Sequence, residues 1–254
     1  VTSWSKHMNN QAVYVSYARE SGFEGMVLTS WSTSGQYGYE WFWPEVVEIF
    51  PLRQVYPHAY PNDAFRMNTL GFIEAVQQEK TFKPKDFAHQ YAQQRFGLTA
   101  GESEKLWNIL TDESLNNKVI IGSSPLSGIK GLPDNKRVVS ATLEKVRELQ
   151  AALTKIVPKK NQKEFAHYHL QIDFREYYLS FRQIQYLVQS TAFSEKNNIE
   201  AIKQLEQLLA RSVELNKRFK KLFTGKLYDT EIERLNQYRN KKAILLHQRL
   251  TRDR

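Results

Sequence analysis

The chain has 254 residues, of which 41% are hydrophobic and 25% charged, and it carries a formal net charge of +9 and no cysteine. This composition is typical of a globular protein of about one or two domains, and it excludes a disordered or fibrous chain, disulfide bonds and thiolate metal sites. The sequence has no run of about 18 apolar residues, which excludes a membrane-spanning helix, and it leaves the cellular compartment undetermined.

The first two predicted elements are a helix and a strand. Apolar residues fall at helical spacing from Asn10 to Glu20, and Gly22 stands where a C′ glycine would end such a helix. A compact apolar run follows at Gly25–Ser30, and its length is that of a buried parallel strand. A helix, a tight turn and a buried strand in this order predict part of an α/β barrel.

An aromatic loop follows the predicted strand. Residues 31–39 are small, polar or aromatic, and they include Trp31, Tyr37 and Tyr39. In an α/β barrel the loop after a strand faces the active site, so these three side chains are candidates to line a pocket. Trp and Tyr rings pack against the apolar face of a sugar while their N–H or O–H groups bond its hydroxyls, which favours a carbohydrate ligand.

The barrel-like segment is predicted to be short. A second helix is expected to begin close to Trp43, because Pro44 is tolerated only in the first turn of a helix. Residues 51–61 then concentrate proline and predict an irregular connector. We therefore expect residues 1–60 to form the terminal segment of a barrel and residues 61–133 to form a helical connector region.

The connector region contains signals for three helices. Helices are predicted at 62–79 and at 85–96, and Gly97 stands where the second would stop. Thr99–Glu102 matches a capping box that would open the third helix. Residues 122–134 are rich in Gly, Pro and Ser, and they predict a linker to the last region of the chain.

The C-terminal region, residues 134–254, is predicted to be an antiparallel helical bundle. Apolar residues step by threes and fours along four stretches that short connections separate. The four stretches are Val139–Ile156, Phe165–Leu187, Ile199–Leu222 and Tyr228–Leu250. The predicted fold class is thus mainly α: the end of a TIM-type α/β barrel, then a helical region, then a four-helix-bundle-like C-terminal domain.

Two features of the bundle region bear on ligands: its positive charge and one histidine–aspartate pair. Basic pairs occur at Lys159–Lys160, Lys217–Arg218 and Lys220–Lys221, with glutamates interspersed. This mixture is typical of a solvated helix face, and no nucleic-acid-binding motif accompanies it, so we do not expect a nucleic-acid partner. His169 and Asp173 stand at a spacing that can share a metal, but no third ligand accompanies them. No metal or other cofactor is therefore expected.

The segment with the predicted helix and strand resembles a known enzyme family. Asn9–Trp31, which ends in Gly-Met-Val-Leu-Thr-Ser-Trp, is followed by Glu40 and Pro44. This pattern is similar to the last helix and eighth strand of family 20 glycoside hydrolases, above all their hexosaminidase D-like branch. The likeness covers residues 4–52, roughly a fifth of the chain. Where the branch has acidic and aromatic residues after the tryptophan, this chain has Ser32–Ser34.

The resemblance implies an enzyme that removes terminal β-linked N-acetylhexosamine from a glycan. In that family an adjacent Asp–Glu pair works on the substrate: the Glu protonates the leaving oxygen, and the Asp orients the acetamide that acts as nucleophile. The pair follows the fourth strand and would lie upstream of Val1, whereas Asp112–Glu113 lies at a predicted helix end. We therefore expect no catalytic residue in this chain, inactivity of the chain alone, and an upstream barrel segment of the same parent protein as its partner.

The resemblance also implies four substrate-binding residues. Trp31 would form one wall of the sugar subsite, Glu40 would accept bonds from sugar hydroxyls, and Tyr37 and Tyr39 would add contacts from the loop. Each has a structural alternative. The alternative for Trp31 is a plug at the barrel rim, and the alternative for Glu40 is a carboxylate favoured by a helix N-terminus. The tyrosines are equally candidates for anchoring their loop.

Two other functions compete with a glycosidase part. One is a non-catalytic helical interaction module with a basic surface, in which the barrel-like segment is only structural. The other is a lone sugar-binding domain that uses the loop of Trp31. A coding sequence that continues upstream into seven more strand–helix units would favour the glycosidase.

Overall fold

The computed structural model describes residues 4–27, 66–78, 81–115, 136–189 and 195–252. Within these residues the chain forms eight α-helices and one short 3-10 helix at Glu113–Leu115, and no strand. The α-helices are α1 (Trp4–Glu20), α2 (Arg66–Gln77), α3 (Pro84–Phe96), α4 (Ala100–Leu110), α5 (Lys136–Thr154), α6 (Gln162–Gln189), α7 (Glu195–Phe223) and α8 (Asp229–Arg252). The expectation of a mainly α protein is confirmed for the described part of the chain.

Helix α1 ends where the sequence predicts and begins earlier. Gly22 adopts the left-handed conformation, with φ at +72°. The Phe23 N–H donates to the Ala18 carbonyl at 2.9 Å, and the Gly22 N–H donates to that of Arg19 at 3.1 Å, which is a Schellman motif. The helix starts at Trp4 rather than Asn10 because a tertiary contact supports its polar first half: Met8 is fully buried against α2.

The structure does not show a strand at the start of the predicted strand Gly25–Ser30. Residues 25–27 have no regular structure, and Val27 is 87% exposed. A buried strand needs a neighbouring strand for its N–H and C=O groups, and the described residues provide none. Residues 28–30 lie outside the described residues, as do the predicted helix near Trp43, the connector 51–61 and the boundaries at 60 and 133.

The three helices predicted for the connector region are confirmed. Gly97 ends α3 in the left-handed conformation, with φ at +69°. At the start of α4, the Glu102 N–H donates to the Thr99 hydroxyl at 3.3 Å, and the Thr99 N–H donates to the Glu102 carboxylate at 2.8 Å. This is the predicted capping box, and both of its hydrogen bonds are made.

The four long helices predicted for the C-terminal region are also present, as α5 to α8. Gly225, with φ at +78°, separates α7 from α8. Consecutive helices pack on each other: α5 on α6, α6 on α7 and α7 on α8. Helix α7 begins at Glu195, before the predicted apolar stretch Ile199–Leu222, because its polar first turn carries no apolar signal.

The described helices form two main cores, one on each side of α6, rather than one bundle core. α6 has two apolar stripes on opposite faces, one through Phe165, Tyr168 and Ile172 and the other through Leu170 and Phe174. The first stripe packs with α3, α4 and α5, and the second packs with α7 and α8. Because α6 is apolar on both faces, each face packs in a core. Helix α5 shares the first of these cores with α3 and α4, which precede it, and with α6, which follows it.

None of the described helices is both long and apolar enough to cross a lipid bilayer.

Candidate functional site

The predicted sugar-pocket residues Trp31, Tyr37, Tyr39 and Glu40 lie outside the described residues. Their roles stay predictions. The structure does describe the helix that precedes them, α1, and the helix that α1 packs against, α2.

Helix α1 is apolar on two opposite faces. Met8 and Val15 lie on the inner face and are at most 3% exposed. Val13, Tyr14 and Tyr17 lie on the opposite face, at i, i+1 and i+4, and are 62% to 66% exposed. A helix with apolar residues on two opposite faces can pack between two partners, and here the described residues supply one.

Helix α2 repeats this arrangement. On its inner side Gly71 allows close approach, since a Cβ there would lie 3.1 Å from the Met8 Cε atom. On its outer side Leu70, Ile73 and Val76 are 38% to 45% exposed. Arg19 of α1 donates to the Val76 carbonyl at 2.5 Å, which ties the end of α1 to the end of α2. We call the three exposed apolar residues of α1 the outer apolar face: Val13, Tyr14 and Tyr17.

The adjacent pair Asp112–Glu113 has a structural role. The Asp112 carboxylate accepts from the Ser114 N–H at 2.9 Å and from its hydroxyl at 2.6 Å, so it caps the short 3-10 helix. Glu113 is exposed. The pair therefore lies at a helix end, as the sequence predicts, and the Asp112 carboxylate is used in hydrogen bonds within the turn.

A cavity of about 380 Å³ lies between the end of α3 and the start of α6. Its lining contains four cationic side chains and one carboxylate. We call it the basic cavity, and it is lined by Arg95, Lys159, Lys160, Asn161, Gln162, Lys163 and Glu164. Sequence reasoning named Lys159–Lys160 but placed the pair on a solvated helix face. The structure places both lysines in the connector between α5 and α6 instead, where helical spacing gives no information about neighbours.

The connector that carries these lysines is fixed to the end of α3. The N–H groups of Lys159 and Lys160 both donate to the Phe96 carbonyl, at 2.8 and 3.1 Å. The Asn161 side-chain amide donates to the Arg95 carbonyl at 2.7 Å, and Asn161 itself has φ at +50°. Gly97 permits this contact, since a Cβ there would lie 3.1 Å from the Cβ of Lys159.

The carboxylate in the cavity lining, Glu164, is 3% exposed and neutralised by the protein. It accepts a hydrogen bond from Arg95 Nε at 2.8 Å and a short one from the Tyr91 hydroxyl, and it lies 3.4 Å from Arg66 Nε. Burial, and then the hydrogen bond to Glu164, raise the pKa of Tyr91 far above its ordinary value, so the phenol keeps its proton as a donor. The negative charge of Glu164 is therefore balanced within the fold.

A second charged group lies along α6, between α5 and α7. Glu176 is 1% exposed and contacts Arg147 on α5 at 3.0 Å, Arg211 on α7, and Ser180 one turn along α6 at 3.0 Å. Burial acts to raise the pKa of Glu176, but the hydrogen bond and charge of Arg211, with Ser180 and Arg147, outweigh it and lower the pKa below its ordinary value. This arrangement cross-links three helices.

Asp173, which with His169 forms the pair at metal-compatible spacing, takes part in a similar cross-link. Asp173 accepts hydrogen bonds from Gln150 on α5 and Arg218 on α7. Burial lowers the pKa of His169, Asp173 acts against that shift, and Arg218 adds to it. Among the residues that the structure describes, no group of three potential ligands could hold a metal ion.

No family model matches this chain, and no match is found among curated proteins or solved structures.

Proposed function

We propose that this chain is the C-terminal part of a family 20-type glycoside hydrolase that acts on terminal β-linked N-acetylhexosamine. In this proposal the chain contributes sugar-pocket aromatics, and an upstream barrel segment of the same parent protein contributes the catalytic Asp–Glu pair. The motif Asn9–Trp31 suggests the family. The outer apolar face is the structural observation that carries the proposal.

The outer apolar face supports the proposal because the last helix of a barrel must cover a strand layer. An α/β barrel buries one side of each helix on its strands. Tyr14 and Tyr17 expose 62% and 66% of their surface on the side of α1 that faces away from α2 and the core behind it. A barrel on that side would bury them, with the helical domain on the other side of α1.

The proposal that the catalytic acid lies upstream also agrees with the structural roles of four carboxylates that the structure describes. Asp112 caps a turn, and Glu164, Glu176 and Asp173 each bond at least one arginine. A general acid must hold a proton near neutral pH, whereas the arginines beside Glu176 lower the pKa of that carboxyl. In the proposed pocket, Trp31 packs against the sugar ring, Glu40 accepts from its hydroxyls, and Tyr37 and Tyr39 add contacts.

The test compares this chain with its parent protein. Nitrophenol release from the β-N-acetylglucosaminide and the β-N-acetylgalactosaminide is expected from the parent and not from residues 1–254. In the parent, Trp31→Ala should lower kcat/KM about tenfold, the equivalent of roughly 1.4 kcal/mol of aromatic contact. Tyr228→Ala is the matched control, because this 58% exposed aromatic lies just before α8 and should leave kcat/KM unchanged.

Three results would contradict the proposal. The first is turnover by residues 1–254 alone, which would mean that a carboxylate of this chain acts as the acid. The second is a coding sequence without upstream strand–helix units. The third is an intact parent that cleaves neither substrate.

The second candidate is a non-catalytic helical interaction module with a basic surface, and the net charge of +9 favours it. The exposed cations of α7 provide less net positive charge than their number suggests, because glutamates lie close to two of them. Lys217 lies 4.0 Å from Glu214, and Lys220 lies 3.7 Å from Glu233 of α8. These glutamates reduce the positive charge of the surface. We therefore prefer this candidate only if the parent protein cleaves neither substrate.

A further inference from the structure

The basic cavity differs from the rest of the charged surface in the balance of its charges. Its lining has four cationic side chains and one carboxylate, Glu164. Arg95 and Arg66 already neutralise Glu164, at 2.8 and 3.4 Å. The charges of Lys159, Lys160 and Lys163 are therefore in excess around a concave surface.

No carboxylate of the described residues lies within ion-pair distance of these three lysines. Glu102 on α4 is the acidic group near Lys159: its pKa is lowered mainly by its hydrogen bonds to Thr99 and, to a smaller degree, by Lys159. Glu102 belongs to the capping box of α4 and does not line the cavity. The excess of positive charge in the cavity is thus not removed by its neighbours.

The backbone that borders the cavity and the side chain of Arg95 are held in place before any ligand arrives, while the three lysine side chains are exposed. The backbone of Lys159 and Lys160 is bonded to the Phe96 carbonyl, and the side chain of Asn161 is bonded to the Arg95 carbonyl. Arg95 is held by Glu164 through its Nε and one Nη2 contact, both at 2.8 Å. A guanidinium has five N–H donors in a fixed fork, so Arg95 keeps donors for a ligand.

We propose that the basic cavity binds a small ligand bearing a phosphate or sulfate group. Lysine ammonium groups supply point charges, and the arginine fork supplies directed N–H donors, which together suit a multivalent oxyanion. The side-chain amides of Asn161 and Gln162 each donate one N–H to a backbone carbonyl, of Arg95 and Pro158, and keep a second N–H. A cavity of about 380 Å³ is at the small end of ligand pockets, so the ligand is of metabolite size. This proposal is independent of the glycosidase function.

A purely structural role for these lysines makes a different prediction. Cations close to the C-terminal end of α3 interact favourably with the partial negative charge of that helix end. In that case removing them changes stability, and phosphate has no more effect than chloride at equal ionic strength. Saturable binding of an oxyanion separates the two roles.

The experiment titrates inorganic phosphate, and in parallel inorganic sulfate, into the full chain by two-dimensional amide NMR at constant ionic strength. We expect saturable shifts at the amides of Gly97 and residues 159–164. Replacing Lys159, Lys160 and Lys163 together by Ala should weaken binding at least about tenfold, because charge-assisted hydrogen bonds are lost. The matched control replaces Lys217, Lys220 and Lys221 on α7 together by Ala, which removes three exposed charges elsewhere and should leave the affinity unchanged.

The outcomes separate clearly. Binding that saturates, maps to the cavity and is lost in the cavity variant alone supports the proposal. Shifts that do not saturate, that spread over α7 and α8, or that weaken equally in the control variant overturn it. If the triple variant does not fold, two other measurements test the proposal: weaker phosphate binding by Lys160→Gln, and the location of the shifted amides in the unchanged chain. Anionic phosphatidylserine vesicles form a separate arm: binding to vesicles without binding to phosphate or sulfate also overturns the proposal.

Discussion

Helices α1 and α6 have the same kind of sequence pattern and different surroundings. Both are apolar on two opposite faces, but α6 has a core on each side, so that Tyr168 and Phe174 are at most 1% exposed. α1 has a partner on one side, and Tyr14 and Tyr17 stay more than half exposed on the other. The difference shows that two apolar faces indicate how many partners a helix needs, and that the described residues supply α1 with a partner for one of its two faces.

The two helices also differ in how charge fixes them. Between its apolar faces α6 carries Asp173 and Glu176, which bond arginines of α7, and Glu176 also bonds an arginine of α5. α1 is tied to α2 by Arg19 at its end. An apolar face gives attraction without direction, whereas the buried ion pairs of α6 require particular neighbours in a particular register.

The largest expected effect comes from removing an aromatic ring from α6. Phe174→Ala should lower the free energy of unfolding by about 3–5 kcal/mol, because it leaves a cavity in the second core. It also removes the ring that Arg239 covers at 4.1 Å. Urea denaturation followed by circular dichroism measures the change.

Tyr14→Ala on α1 is the matched control for that prediction. Its ring is 62% exposed, so the change in the free energy of unfolding should stay within about 0.5 kcal/mol. If Tyr14→Ala and Phe174→Ala lowered the free energy of unfolding equally, the outer apolar face would already be buried in this chain. The contrast between α1 and α6 would then be wrong.

The next effect concerns the buried charge of α6. Glu176→Gln should cost about 1–2 kcal/mol at neutral pH, at the low end for bonds to charged groups because Arg147 and Arg211 are about half exposed. The pKa of Glu176 is lower in the folded chain than its ordinary value. Its contribution to stability is therefore complete above the unfolded-state pKa, about 4.3, and is lost as the pH falls through the folded-state pKa.

The measurement is the free energy of unfolding of both proteins at several pH values from 7 to 3. We expect the difference between the unchanged chain and Glu176→Gln to narrow as the pH falls below about 4. A difference that is constant over this range would show that the cross-link acts through packing rather than through its charge.

A smaller effect is expected from a purely local signal. Thr99→Ala removes the capping box of α4 and should cost about 1 kcal/mol. Thr142→Ala is the control, since the Thr142 hydroxyl bonds only a carbonyl one turn back in the middle of α5, at 2.7 Å. Thermal unfolding of the two variants checks the prediction, and equal midpoints would contradict it.

The smallest effect in this chain becomes larger in the parent protein. Tyr17→Ser should change the stability of residues 1–254 by less than about 0.5 kcal/mol, because the side chain is 66% exposed. In the parent, a barrel over the outer apolar face would bury Tyr17, and the same change should lower the unfolding midpoint. Val213→Ser on α7, at a residue that is 54% exposed, should have no effect in either protein. No difference between chain and parent would count against a barrel on this face.

Local chemistry makes several helix ends predictable from the sequence. Gly22 and Gly97 are in the left-handed conformation that ends a helix, and Thr99 and Glu102 form the capping box that opens one. These signals act over a few residues, so the sequence contains all of their partners. The start of α1 was missed because Met8 is buried by α2, far along the chain.

Only the tertiary structure decided which helix faces meet and which charges come together. Apolar spacing showed that α5 to α8 are amphipathic, but not that α6 divides two cores, because a stripe does not name its partner. Arg95 and Glu164 are 69 residues apart, and Arg211 and Glu176 are 35 apart. The basic cavity and the buried ion pairs exist because folding brings such distant residues into contact, and no periodicity in the sequence encodes that proximity.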